Sequence, residues 1–231
     1  MTQQPDISPA FYRRHARSYA EKAQTSTLTT FFNPSHPRLL HNGVLAERMR
    51  ELVPAGGQGL DAGCGAGAHD VFSYWQHGYD VYGVDAVEEN ILEARRFHPD
   101  IASRVSVADL SVPLDWPDAS LDFALCNAVI QHIAPEDALG VTLPELARVL
   151  RPGGVLQLMF KSGEGVATVH DSEYDAPRSF QLYPVDEIVE LLIGLGLHMV
   201  PAEGDKLGGA MLFTDYKPME HCVLFARKAE A

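Results

Sequence analysis

The sequence predicts an α/β fold in which a mostly parallel sheet carries helices on both faces. Two observations predict it. Short apolar runs alternate with amphipathic helical stretches along most of the chain, the order that builds parallel sheets. The stretch Gly59-Leu60-Asp61-Ala62-Gly63-Cys64-Gly65-Ala66-Gly67 then ends an apolar run in an acid and a glycine-spaced turn, ahead of a helical pattern from Ala68 to His77. About 20 residues on, a second apolar run, Val81 to Val84, ends in Asp85. A glycine loop after one strand and an acid at the end of the next form a nucleoside site in an open α/β sheet.

Composition narrows the class. The 231 residues are 46% hydrophobic, so one core, or one core with a small appendage, is expected. Net charge is −13, the wrong sign for long-range attraction to phosphate backbones, and bulk nucleic-acid binding is not expected. No apolar run is long enough to span a bilayer. Arg13, Arg14 and Arg17 precede no apolar stretch of the kind a secretory signal needs. Three cysteines without paired spacing argue against a disulfide framework and fit a reducing, cytoplasmic setting.

The elements follow in order. Residues 1–8 are polar and read as loose. Phe11 to Ala23 is helical, with Tyr12 and Tyr19 seven residues apart and so on one face. That face serves either as a lid over a ligand or as an ordinary packing stripe. Ser26 to Pro37 reads as a loop containing Phe31-Phe32, and Arg38 to Leu52 as a helix stopped by Pro54-Ala55-Gly56-Gly57. Beyond Asp85, Val87, Ile91 and Ala94 mark a crossover helix. Arg104 to Val107 is a short strand ending at Ala108-Asp109, and Leu121 to Cys126 a strand followed by Asn127. Pro135 starts a helix that Pro144 kinks or restarts. Arg151-Pro152-Gly153-Gly154 is a sharp turn into a strand from Val155 to Phe160. Lys161 to Leu182 is irregular and reads as solvated loop. A helix from Pro184, a strand from His198 to Ala202, a glycine-containing connection from Gly204 to Pro218 and a final strand from His221 to Arg227 complete the chain. The last strand follows a loop and is expected to run antiparallel.

The run Asp61-x-Gly63-x-Gly65-x-Gly67 resembles the first motif of the class I S-adenosylmethionine-dependent methyltransferases. Arg148-Val149-Leu150-Arg151-Pro152-Gly153-Gly154 resembles the last core motif of that family. Phe11 to Tyr19 resembles the amino-terminal cap segment of many small-molecule methyltransferases. The chain is therefore identified with the small-molecule, UbiE-like kind over about residues 40–228. The resemblance implies a Rossmann-like sheet of seven strands, with a helical cap over residues 1–40 and a methyltransferase domain over 41–231. It implies S-adenosylmethionine as cofactor and S-adenosylhomocysteine as product.

Its three handles map onto this sequence. Gly63, Cys64, Gly65 and Gly67 offer backbone amides and close approach to the methionine end, whose ammonium suits Asp61. The two oxygens of Asp85 suit the ribose diol. Asp109 can accept from the adenine amine, with Ala86, Ala108 and Leu110 lining the ring. Asn127 follows the fourth strand, within reach of the cofactor. Taken singly, Asp85 and Asp109 also read as helix-cap or turn acids.

The implied reaction moves a methyl group to oxygen, nitrogen or carbon of a small organic acceptor by in-line displacement. If the acceptor must lose a proton, His132 is the candidate base near neutral pH, with Gln131 beside it. The plain alternative is that His132 packs the turn. Tyr12, Tyr19, Gln131, His132, Arg178 and Tyr183 are the candidate acceptor-binding residues, and Arg178 suits an acidic acceptor. His170, Asp171 and Glu173 lack a metal-ligand spacing, and no metal is expected. Two other readings stay open: a cofactor- or protein-binding module on the same fold, and a nicotinamide-dependent oxidoreductase, against which the missing G-x-G-x-x-G counts.

Overall fold

The computed structural model describes residues 9–26, 31–215 and 219–230. The expectations for residues 1–8, and for the parts of the two connections at 27–30 and 216–218, lie outside them. The elements are α1 (Pro9–Ser26), α2 (Asn42–Leu52), β1 (Gln58–Ala62), α3 (His69–Gln76), β2 (Asp80–Asp85), α4 (Glu88–Phe97), β3 (Val105–Val107), β4 (Leu121–Asn127), α5 (Pro135–Asp137), α6 (Leu143–Val149), β5 (Leu150–Lys161), β6 (Val166–Asp171), β7 (Ala176–Gln181), α7 (Val185–Gly194), β8 (Leu197–Met199), β9 (Met211–Thr214) and β10 (Glu220–Lys228).

The main sheet runs β3-β2-β1-β4-β5-β10-β8, with β9 added beside β10. Its first five strands are mutually parallel. As expected, β10 is antiparallel to both its neighbours β5 and β8. Strand order reverses between β1 and β4, which places a crevice beyond the carboxyl ends of the central strands. Asp61, Asp85 and Asn127 all stand at those ends.

Both sheet faces are buried, which is why the strands read as continuous apolar runs. Alternate residues of β10 enter two cores. Cys222, Leu224 and Ala226 meet Leu60, Leu146, Leu156, Ile188 and Leu192 on one side. Val223 and Phe225 meet Met49, Val71, Tyr74, Ile91 and Phe123 on the other. Phe31 is buried against Phe213, ring centres 4.4 Å apart, while Phe32 stays exposed.

Three expectations change. Lys161 to Leu182 is not a solvated loop: β6 and β7 pair as an antiparallel hairpin, in which Val166, Thr168 and His170 alternate with Ala167, Val169 and the fully buried Asp171. The Gly204–Pro218 connection contains β9, which pairs with β10. Arg151-Pro152-Gly153-Gly154 lies within β5, where the register jumps from Leu121↔Leu150 to Phe123↔Val155, so the turn is taken as a bulge. A π-helical turn at Ala138–Thr142 precedes Pro144 and absorbs its missing amide.

Candidate functional site

The glycine loop is folded back onto β2. The amides of Gly63 and Cys64 both donate to Val84 O, at 2.8 and 2.9 Å. Gly63 has φ +90° and would drive any Cβ into Val129. Gly65 has φ +66° with open space where a side chain would stand, so the backbone itself faces the crevice. Its amide donates to Asp85 Oδ2 at 3.0 Å. Asp85 Oδ1 accepts from the Val87 amide at 2.9 Å and from Asn90 Nδ2 at 3.0 Å. Burial raises the Asp85 carboxyl and these three donors oppose that rise, leaving a carboxylate of fixed orientation.

One end of the cleft is floored by acids and amides. Asp61, Leu125 and Gln157 lie in one register row across β1, β4 and β5, so their side chains share a face. Asn127 is two residues on and shares it too. Leu125 belongs to the core beneath α3, and α3 brings Asp70 down to the same place. Asn127 Nδ2 donates to Asp70 Oδ2 at 3.3 Å, and Gln157 Nε2 to Asn127 Oδ1 at 3.0 Å. Burial raises Asp61, and the charges of Asp70 and Asp85 raise it further.

The other end is aromatic and cationic. Arg178 donates to the Tyr12 hydroxyl and, at 3.1 Å, to the buried Asp171. Because arginine has no acceptor, the Tyr12 oxygen accepts there and its own hydrogen is left for His132 Nε2, 2.9 Å away. Lys161 Nζ donates to His221 Nε2 at 2.9 Å, and the ring's Nδ1–H donates to Met219 O. The Lys161 ammonium lies 4.6 Å from the Phe180 ring centre. Burial, then the nearby Arg178 and Lys161, lower the His132 imidazole to about 3. The same two causes, burial and Lys161, lower His221 to about 4.

Helix α1 closes the mouth. Ala16 and Ala20 pack on Ala66 of the glycine loop and on Phe97 of α4. Phe11, His15 and Tyr19 pack on Tyr174 at the hairpin tip, and Lys22 donates to Glu173 O. The aromatic stripe is thus a packing stripe, and what it packs on makes the helix a cover. The half-open cleft has a volume of about 980 Å³, at the upper end for small-molecule sites.

Most of the residues marked by sequence converge here. Asp61, Gly63, Cys64, Gly65, Gly67, Asp85, Ala86, Asp109, Leu110 and Asn127 line the cleft, as do Tyr12, Tyr19, Gln131, His132 and Arg178. Three readings are corrected. Tyr183 is not an acceptor-pocket residue: it is a core residue, 2% exposed, its hydroxyl donating to Ile130 O at 3.1 Å. Ala108 does not line the cleft but packs against the core, and Val107 and Asp109 on either side of it take the cleft wall. His132 is a neutral imidazole whose accepting nitrogen is occupied, not a free base tuned near pH 7. His170 and Asp171 diverge, the first pairing with Asp175 on the surface and the second buried under Arg178.

Sequence reasoning missed Asp70, Asn90, Gln157, Tyr174 and His221. Gln157 carried a signal, since it is the one strongly polar residue inside the apolar run Val155 to Phe160. Asp70 carried none beyond being an acid in a first helical turn.

Comparison with known proteins agrees with this architecture. Residues 60–158 match the family model described as a methyltransferase domain. The malonyl-[acyl-carrier protein] O-methyltransferase of Pectobacterium atrosepticum is 39% identical over 114 residues, 48% of this chain and 42% of that protein. The chain spans less than half the length of the curated relatives it matches first. The 1,6-didemethyltoxoflavin-N1-methyltransferase of Burkholderia thailandensis superposes with TM-score 0.61 at 20% identity, covering 100% of this chain and 92% of its own. The [4+2]-cyclase SpnF superposes with TM-score 0.68 at 15% identity, covering 96% and 95%. Residues 60–158 match a methyltransferase domain, and the chain around them has the fold of the solved methyltransferases on which it superposes.

Proposed function

We propose that the protein is an S-adenosylmethionine-dependent methyltransferase acting on a small organic acceptor. The observation that carries this reading is Asp85, fixed by Gly65, Val87 and Asn90 at the carboxyl end of β2, opposite a floor of acids with no cation paired to them among the described residues. That floor suits a ligand bringing its own ammonium. When bound, the cofactor supplies an electrophilic methyl group on a sulfonium. Asp85 Oδ2 keeps a lone pair for the ribose diol. Asp109 gives one oxygen to the Ser111 amide and keeps the other for the adenine amine, with Val107, Ala86 and Leu110 about the ring.

The acceptor occupies the end bounded by Tyr12, Gln131, His132, Arg178 and Phe180, aligned for in-line displacement. Gln131 Oε1 is buried without a partner there, an acceptor for a substrate N–H or O–H. Residues 1–40 act as the cap and 41–231 as the methyltransferase domain.

Calorimetric titration with S-adenosylhomocysteine tests the cofactor. Micromolar binding, about −8 kcal/mol, supports the reading, and absence of heat with folded protein ends it. The cyclase of the same fold supports a second reading, since a shared fold does not carry a reaction with it. Tight S-adenosylhomocysteine binding with no product from a broad acceptor panel favours that reading.

A further inference from the structure

Asp61, buried, and Asp70, half-buried, are acids that meet at the floor of the cleft from opposite sides, one from the sheet and one from α3. No hydrogen bond or ion pair of the described residues serves Asp61, and Asp70 receives only the Asn127 amide. Among the described residues no lysine or arginine is paired with either acid, and His69 is the group of α3 whose charge acts on Asp70. Asp85 stands on β2. The Cys64 thiol of the loop and the Tyr74 phenol of α3 are pushed up well above their ordinary values by burial, and Cys126 on β4 to about 12. The His69 imidazole on α3 is lowered by burial. Arg50 of α2 acts on Tyr74, and Arg13 and Lys22 reach the cleft wall from α1, where Lys22 is held on Glu173 O.

A second, independent observation points to a ligand. Gln157 is 4% exposed; it spends its amide on Asn127 and leaves Oε1 buried with no donor. An orphaned buried acceptor is costly unless something fills it. Asp61, Asp70 and Gln157 all line the same cleft, so it offers three acceptors. An ammonium group has three N–H donors.

We infer that Asp70 is a second carboxylate for the ammonium of the cofactor, and that the Asp61–Asp70 pair holds a proton in the ligand-free protein which it releases to solvent when the ammonium docks. Two buried carboxylates side by side do not both ionise without a counter-charge. The arriving cation supplies it, so binding and ionisation are linked. Asn in place of Asp70 keeps the acceptor for Asn127 and removes the titrating group. This inference rests on the cofactor reading above.

The test is calorimetric titration of the full chain with S-adenosylhomocysteine in phosphate and in Tris, between about pH 5.5 and about pH 7.5, where the ligand's amine stays charged. The wild type should release protons, so its binding enthalpy differs between the buffers and its affinity rises with pH, at most tenfold per pH unit. Asp70→Asn should still bind, more weakly, with little buffer dependence. 5′-Methylthioadenosine, which lacks the amino-acid end, should bind wild type without proton release. Enthalpies of S-adenosylhomocysteine binding that are equal in both buffers, or proton release unchanged in Asp70→Asn, overturn the inference while leaving the cofactor reading intact. Failure of folded protein to bind either nucleoside overturns both.

Discussion

The Gly65 amide donates to Asp85 Oδ2 across 3.0 Å, so one carboxylate both closes the glycine loop and faces the cleft. Asp85→Ala therefore removes a ligand contact and a loop anchor together. Hydrogen bonds to a charged group contribute about 1.5–3 kcal/mol each. The variant should lose roughly tenfold or more in S-adenosylhomocysteine affinity, and about 1–3 kcal/mol in unfolding free energy by urea titration. Unchanged affinity in a folded variant would remove Asp85 from the site.

Asp61 trades stability for binding. Its carboxyl is raised by burial and by Asp70 and Asp85, and an amide of the same shape escapes that strain. Asp61→Asn should raise the ligand-free melting temperature by a few degrees, on the order of 1 kcal/mol at this chain length, and weaken S-adenosylhomocysteine binding. Scanning calorimetry with and without ligand reads both changes. A lower melting temperature without ligand would contradict the account.

Arg178 joins the hairpin to the cap. Its partner Asp171 is fully buried, so Arg178→Ala removes the guanidinium that faces a buried carboxylate, at a cost of about 3 kcal/mol. The expected outcome is faster amide hydrogen exchange in α1 and in β6–β7, with β1, β4 and β5 little changed. Asp171→Ala added to Arg178→Ala should recover part of the loss. Equal exchange in α1 would mean the cap is held by its alanine contacts alone.

The histidines set an acid limit. His132 at about 3 and His221 at about 4 lie below their ordinary 6.5, so the unfolded chain binds their protons first. The stability they contribute is complete above about pH 6.5 and is lost as pH falls through the window down to those values, each by at most about 1.4 kcal/mol per pH unit. Asp61, Asp70 and Asp85 are raised and act in the opposite sense, since the folded protein holds their protons more firmly than the unfolded chain does. The difference between wild type and His132→Gln isolates the histidine. The variant's melting temperature should fall less on going from about pH 7 to about pH 5. An imidazole resonance of His132 titrating near 6.5 would refute the assignment.

The chain itself determined the sheet, the glycine loop and the acids at 61, 85 and 109, because these follow from local rules. Glycine spacing, strand-end acids and the period of apolar residues are written within a few residues of where they act. The hairpin β6–β7 was not readable, because its alternation is half polar and its buried Asp171 meets Arg178 only once the two strands pair. The Arg-Pro-Gly-Gly stretch was read as a turn, although its neighbours β4 and β10 draw it into a strand as a bulge. Only tertiary structure brought Asp70 and Gln157 into the same cleft as Asp61, sent Tyr183 into the core and gave the accepting nitrogen of His132 to Tyr12. Those relations join residues up to 120 positions apart. Whether a buried polar group serves a ligand or the fold depends on which partners the packing brings to it, and no local pattern encodes that.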